Sequence, residues 1–171
     1  GMTRYIKQLK PSSLEDIASM IALFRPGPME HIGVFIEAKH GRREVRSLHP
    51  DIDGILQETY GLVVNQEQVM LIAQSFAGYT LGEADTLRKA MGKKIPELMA
   101  QERQTFFDGA IAKGHPKELV EEVYSLIEPF AGYGFNKAHA VSYALISYWT
   151  AYFKANFPEE YLVCLLNAYG Q

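Results

Sequence analysis

The amino-acid sequence predicts a mainly α-helical fold with minimal strand content. Apolar residues recur at three-to-four spacing through most of the chain, as in residues 66–76, and this is the period of a helix with one buried face. Residues that favour helix starts (Ser, Thr, Asn, Pro) and helix ends (Gly) separate the periodic segments. Only residues 60–64 are β-prone, and we expect a small strand or an extended link there. The 171 residues suit a single helical domain, 1–171.

Helical periodicity and flanking residues together predict nine helices. They are expected over residues 14–24, 30–39, 51–58, 66–76, 81–91, 96–113, 119–130, 137–156 and 159–168. Thr80 and Asn136 are suitable N-caps for the fifth and eighth of these helices, because their side-chain oxygens can accept from free backbone N–H groups. Gly92 is expected to stop or loosen the fifth.

Asp51 and Asp53 allow two interpretations. At this spacing on a strand, paired carboxylates can hold two magnesium ions for phosphoryl transfer. Gly54 follows them, however, and the context is that of a helix start without a nearby third carboxylate. We therefore favour helix capping by Asp51 or Asp53 over a metal site.

The composition restricts the possible classes of protein. The formal net charge is −3, whereas single-domain nucleic-acid binders are usually basic, so any contact with phosphate must come from a local patch or from other parts of a larger protein. The single cysteine, Cys164, excludes a disulfide within the chain and indicates a reducing compartment. Because there is also no signal peptide and no apolar run of membrane-spanning length, we expect a cytoplasmic location. The five histidines are scattered without metal-ligand spacing, so no metal site is expected.

Residues 86–94 carry the strongest local excess of positive charge. Arg88, Lys89, Lys93 and Lys94 lie within seven residues, in two pairs around Gly92. Neighbouring helical residues point about 100° apart, so an anion that contacts both Arg88 and Lys89 must be large or lie at a helix end. Gly92 is expected to let the backbone turn so that Lys93 and Lys94 converge on the same ligand. The alternative is a solvated helix surface, but arginine and lysine in this pattern favour a phosphate site.

A second candidate segment, residues 132–139, precedes and begins the longest predicted helix. It contains glycines, aromatic residues and the polar side chains of Asn136, Lys137 and His139. The N-terminal end of a helix already carries positive charge, so cations there cost a few tenths of a kcal/mol, roughly. A bound anion would offset this cost. The alternative is an ordinary helix cap with a core histidine.

Six ordered blocks of sequence resemble one protein family. They are ALFRPGPM (22–29), QEQVM (66–70), AGYTLGEAD (77–85), LRKAMGKK (87–94), FAGYGFNKAH (130–139) and YALISY (143–148). Together they resemble the fingers region of the bacterial C-family replicative DNA polymerases, the alpha subunits of DNA polymerase III, of the type without a built-in proofreading exonuclease. The chain departs from the family pattern at Asn65, Lys89 and Ala138, but none of these departures removes a cation.

The resemblance implies a multi-helical fingers-type domain that is a fragment of a larger polymerase. It implies that Arg88 and Lys89 contact the triphosphate of the incoming deoxynucleotide, with Lys93, Lys94, Asn136, Lys137 and His139 near the same pocket. In the full polymerase, magnesium is held by palm aspartates outside this chain, so the fragment itself is expected to hold no cofactor, to contain no catalytic residue and to be inactive alone.

The partners implied are the incoming nucleotide, primer–template DNA, the other polymerase domains and the other subunits of the replicase, but not a membrane. Two other functions remain open from the sequence. One is a freestanding helical nucleic-acid-binding module whose cations contact backbone phosphates. The other is a structural interaction domain whose cations only solvate its surface.

Overall fold

A computed structural model of the chain describes residues 1–93, 95–131 and 133–170. Within these residues the fold consists of ten α-helices, with two short 3-10 turns and no strand, so the prediction of a mainly α fold is confirmed. The helices are α1 (Met2–Leu9), α2 (Leu14–Leu23), α3 (Ile32–Lys39), α4 (Pro50–Leu56), α5 (Gln66–Ala77), α6 (Leu81–Lys93), α7 (Pro96–Ala112), α8 (Lys117–Ala131), α9 (Lys137–Asn156) and α10 (Pro158–Tyr169).

The structure adds one helix to the prediction and changes two local details. Helix α1 was not predicted. His49 caps α4 in place of Asp51 or Asp53, because its Nδ1 accepts from the Asp51 backbone N–H at 3.2 Å. Helix α6 continues through Gly92, since a glycine in helical conformation weakens a helix without ending it. Of the two forms predicted for residues 60–64, the structure has the link and not the strand: a turn leads into it, and one isolated bridge follows at Asn65.

The larger of two main apolar clusters surrounds α5. Val69, Ile72, Ala73 and Phe76 of this helix are fully or almost fully buried against α4, α6, α7 and α8. These residues have the spacing of one helical face, as the sequence predicts. Helix α5 is therefore the central element against which the cationic helix α6 is fixed.

The second cluster is formed by α1, α2 and α3, and Phe35 is its largest fully buried side chain. Helix α9 joins this part of the molecule by packing Ala140 and Ala144 against Ala18 of α2. Small side chains let two helices approach closely. This contact brings the start of α9 towards the start of α5.

Buried Gln68 holds the turn that leads into α5. Its Oε1 accepts from the backbone N–H groups of Val64 and Asn65 at 2.9 and 3.0 Å. Its Nε2 donates to Thr59 Oγ1 at 2.8 Å and to the Ile55 carbonyl at 3.2 Å. The amide thereby satisfies backbone groups that precede the helix and fixes the direction in which α5 begins.

The outer faces of α9 and α10 carry many exposed apolar side chains. Trp149 is 51% exposed and Leu166 is 70% exposed. The apolar side chains of α9 that include Tyr148 and Tyr152 are exposed as well, and the buried face is the narrower one of Ala140 and Ala144. Neither these helices nor any other described helix is long and apolar enough to cross a membrane.

Candidate functional site

The two segments that the sequence singled out meet at the N-terminal end of α5. Helix α6 carries Arg88 and Lys89, and the segment before α9 carries Asn136. Each segment contacts a different residue of the first turn of α5: Arg88 contacts Gln66, and Asn136 contacts Glu67. The structure thus brings together groups that are far apart in the sequence.

A single carboxylate, that of Asp85, connects the two adjacent cations of α6. Its Oδ1 accepts from Arg88 Nε at 2.9 Å and from Arg88 Nη2 at 2.8 Å, and its Oδ2 lies 2.7 Å from Lys89 Nζ. The hydrogen bonds from Lys89 and then Arg88 hold the pKa of the Asp85 carboxyl below its usual range. Arg88 and Lys89 therefore reach one anionic group together, although their helical positions diverge.

Arg88 is also linked to the second segment through Gln66. Arg88 Nη1 donates to Gln66 Oε1 at 3.4 Å, while the Gln66 backbone N–H donates to the Phe135 carbonyl at 3.0 Å. Glycine at 134 leaves room for this close pairing, because an added Cβ would lie 3.0 Å from Gln66 Cγ and 3.3 Å from the Gln66 backbone, which is tight. The Phe135 N–H completes the pairing by donating to the Val64 carbonyl at 3.2 Å.

The start of α9 already has an anionic partner within the protein. Glu67 accepts from Asn136 Nδ2 at 2.9 Å and from the Lys137 backbone N–H at 3.1 and 3.0 Å. Asn136 caps the helix as predicted, since its Oδ1 accepts from the His139 N–H at 2.8 Å. The carboxylate of Glu67 thus supplies the negative charge that we expected from a ligand at this helix end.

The other predicted cations lie in different surroundings. Lys137 Nζ is 2.6 and 2.7 Å from the two carboxylate oxygens of Glu58. The His139 ring packs against the rings of Phe135 and Tyr143, with centroids 5.5 and 4.6 Å away. Lys93 is exposed at the end of α6. The predicted contact of Lys94 lies outside the described residues.

Sequence reasoning missed Arg25, which fixes the segment before α9. Arg25 Nε donates to the Ala22 carbonyl at 2.7 Å, and Nη2 donates to the Tyr133 carbonyl at 2.6 Å. Its guanidinium also lies over the Phe135 ring, 4.5 Å from the centroid. Arg25 lies between the end of α2 and the segment Pro26-Gly27-Pro28, which is typical of a turn, so no local signal indicates this long-range role.

Electrostatically, the site is balanced within the protein. Arg88, Lys89 and Lys137 each face a carboxylate, and these ion pairs are partly exposed. Exposed pairs of this kind contribute only about 0–1 kcal/mol each. A ligand with several negative oxygens can therefore replace the carboxylate of Asp85 on Arg88 and Lys89 at little cost to the fold.

A cavity of about 950 Å³ lies elsewhere, between α3, residues 43–48, α4 and α8. None of the six described residues predicted to contact phosphate lines it. In the part of the chain that the structure describes, the candidate phosphate site is therefore a surface formed by α5, α6 and the start of α9.

Comparisons with known proteins match this chain to one family along most of its length. A family model described as the bacterial DNA polymerase III alpha subunit finger domain matches residues 1–114. Relatives named DNA polymerase III subunit alpha are 49% identical over 97% of this chain in Borreliella burgdorferi, 51% over 98% in Rickettsia prowazekii and 49% over 98% in Pseudomonas aeruginosa.

The chain spans only a small part of these relatives, 14% of the first two and 15% of the third. The family match nevertheless covers well over half of the 171 residues and includes the first seven helices, among them the cationic helix α6. The chain belongs to the finger-domain family of the bacterial DNA polymerase III alpha subunit.

Proposed function

We propose that this chain is the fingers part of a bacterial replicative DNA-directed DNA polymerase and binds the triphosphate of the incoming deoxynucleotide. Arg88 and Lys89 contact the phosphates directly. Lys93, Lys94, Asn136, Lys137 and His139 would lie near the same phosphates, as the family resemblance implies. The observation that carries this proposal is the shared carboxylate of Asp85, because the two cations that hold it can hold one phosphate group in the same way.

The chemistry of nucleotide transfer explains why such a lobe is needed. Phosphoryl transfer depends mainly on positioning and on stabilising charge that develops on the phosphate oxygens. Arg88 and Lys89 would align the α-phosphate with the primer hydroxyl and stabilise the departing pyrophosphate. Magnesium, held by palm aspartates outside this chain, supplies the remaining charge in the full polymerase. The proposal therefore assigns no catalytic residue to the fragment.

Within the same proposal, the 171 residues form one domain of a much longer cytoplasmic subunit. Its partners are primer–template DNA, the other polymerase domains and the other replicase subunits. Two observations support this view. The chain covers only a small share of the length of its relatives, and α9 and α10 expose apolar faces that another part of a protein could cover. A freestanding nucleic-acid-binding module is the less favoured alternative, because family membership argues for the polymerase.

Replacement of Arg88 in the full-length polymerase tests the proposal. We expect Arg88→Gln to lower kcat/KM for nucleotide incorporation by about 10²-fold or more, because each positioned donor to a transition-state anion contributes on that order. Steady-state primer extension at varied nucleotide concentration measures the effect. Arg103→Gln is the matched control, since Arg103 is also a helical arginine paired with a carboxylate, Glu121, but lies on α7.

Wild-type kinetics in the Arg88→Gln polymerase would refute the proposed contact with the triphosphate. An equal loss in both variants would indicate a general effect on folding. For the isolated chain with magnesium, we expect no primer extension above background. Salt-dependent binding of DNA by the isolated chain would favour the freestanding module.

A further inference from the structure

Three possible metal ligands lie together away from the candidate phosphate site, where the start of α4 meets the turn between α7 and α8. They are the side chains of His49, Asp51 and His115, and one ligand atom from each lies within 4.8 Å of the other two. We propose that these three side chains bind a divalent transition-metal ion such as Zn²⁺, with water as the fourth ligand.

The ligand set and the geometry suit this class of ion. Two imidazoles and one carboxylate with an open fourth position are an established zinc arrangement, with bonds of about 2.0–2.2 Å. Tetrahedral bonds of that length separate the ligand atoms by roughly 3.4 Å. The distances between the three ligand atoms, at most 4.8 Å, therefore need to shorten by no more than about 1.4 Å. His49 and Asp51 are partly exposed, so the ion has access from solvent.

His115 already has the arrangement of a metal-binding histidine. Its Nε2 is buried and has no hydrogen-bond partner among the described residues, which is a cost that a bound metal would remove. Stacking on Phe76, with centroids 4.0 Å apart, holds the ring in place.

His49 and Asp51 complete the cluster from the first turn of α4. The rings of His49 and His115 meet edge to face with centroids 4.8 Å apart, and His49 Nδ1 lies 3.7 Å from Asp51 Oδ2. Binding through His49 Nδ1 would replace the hydrogen bond by which this nitrogen caps α4. The carboxylate of Asp51 compensates for the positive end of the helix and for the nearby charge of Lys113.

A metal at this position would join parts of the chain that are distant in sequence. His49 begins α4, His115 precedes α8, and Phe76 of the central helix α5 contacts both histidine rings. Binding would therefore stabilise the larger apolar cluster, and the melting temperature of the chain should rise with metal concentration.

Calorimetric titration of the metal-free chain, without a polyhistidine tag, with Zn²⁺ tests the proposal. We expect one zinc ion to bind per chain. When Co²⁺ is bound in place of Zn²⁺, we expect the visible absorption spectrum of a four-coordinate site. We expect zinc binding to weaken by more than about tenfold in each of three variants, His115→Phe, His49→Asn and Asp51→Asn. Removing a group that only supports a metal ligand already lowers metal affinity by about tenfold or more, and these variants remove the ligands themselves. Phe at 115 preserves stacking on Phe76, and Asn at 49 preserves a helix cap.

His31→Gln is the matched control, since His31 is partly buried, packs against the Phe130 ring 4.8 Å away and lies outside the cluster. It should bind zinc like the wild type. The proposal is overturned if the wild-type chain takes up no stoichiometric zinc, or if the three cluster variants bind as the control does. If a cluster variant fails to fold, the wild-type titration and the cobalt spectrum still decide the outcome.

Discussion

Lys39 and Asp16 form an ion pair in the protein interior. The Lys39 Nζ lies 2.5 Å from Asp16 Oδ2, and the two side chains are only 8% and 1% exposed. Asp16 also accepts from the Ser12 N–H at 2.8 Å and from the Tyr60 hydroxyl at 2.7 Å. Burial raises the pKa of the Asp16 carboxyl, but the hydrogen bonds from Lys39, Ser12 and Tyr60 outweigh burial and bring this pKa below its usual value.

Replacing Lys39 should therefore destabilise the chain in a pH-dependent way. Lys39→Met leaves a buried carboxylate without its cation, and we expect the free energy of unfolding to fall by about 3 kcal/mol at pH 7. Because the folded pKa of Asp16 is depressed, its contribution is complete above the usual value of 3.8 and is lost as the pH falls through the folded value. Urea unfolding of both proteins from pH 7 to pH 2.5 measures the difference, which should narrow below about pH 4.

Lys7→Met provides the comparison, since Lys7 is an exposed lysine of α1. Its effect should stay within about 0.5 kcal/mol at every pH. A gap between Lys39→Met and the wild type that persists unchanged at low pH would show that lost packing, and not the ion pair, causes the destabilisation.

Individual cations were predictable from the sequence, but their partners were not. The clustering of Arg88 and Lys89 identified a candidate phosphate contact, whereas the role of Asp85 depends on side-chain directions that a helical register does not fix. Similarly, Glu67 of α5 and Glu58 of the 3-10 turn at residues 57–59 approach Lys137 only because this region and the start of α9 meet in the folded chain.

At the scale of helices, the close approach of α5 and α7 depends on Gly109. A Cβ built at this position would lie 2.2 Å from the Ala77 carbonyl oxygen, a separation that no real side chain tolerates. The sequence marks residues 96–113 as a helix, but an interior glycine there predicts only a weaker helix. The packing reason for this glycine is visible only where the end of α5 contacts α7.

Gly109→Ala should force these two helices apart. Alanine favours the helical state by about 1 kcal/mol, but the clash with a backbone carbonyl should outweigh this gain and lower the free energy of unfolding by about 1–3 kcal/mol. Chemical denaturation measures the change.

Gly33→Ala is the natural control, because Gly33 lies in α3 and an added Cβ there meets no atom within 4 Å. This variant should be as stable as the wild type or more stable. If Gly109→Ala is stabilising too, the close contact between α5 and α7 relaxes without cost and our account of Gly109 is wrong.

At the scale of the whole molecule, α9 and α10 expose the largest apolar surface among the described helices. Trp149, Phe153 and Leu166 all lie on it. Monomeric proteins rarely expose contiguous apolar patches of this kind unless a partner covers them. In the proposed function, the rest of the polymerase subunit is that partner.

Hydrogen exchange tests whether the remaining subunit covers this surface. We expect backbone amides of α9 and α10 to exchange more slowly in the full-length subunit than in the isolated chain, because packing suppresses local opening. Amides of α5 serve as an internal reference, since this helix is central and buried in the isolated chain as well. Equal exchange of α9 and α10 in both proteins would contradict coverage by the rest of the subunit.

Sequence alone determined the helical class, most helix limits, the cap at Asn136 and the cationic segment of α6. These features depend on periodicity, capping and local charge, which act over a few residues. Tertiary structure decided which groups meet: the contacts of Arg25 and Gln68, the shared anchoring of both candidate segments on α5, and the cluster of His49, Asp51 and His115. Such contacts join residues far apart in the chain, so they arise only when the packing of α5 against its neighbours fixes every helix in space.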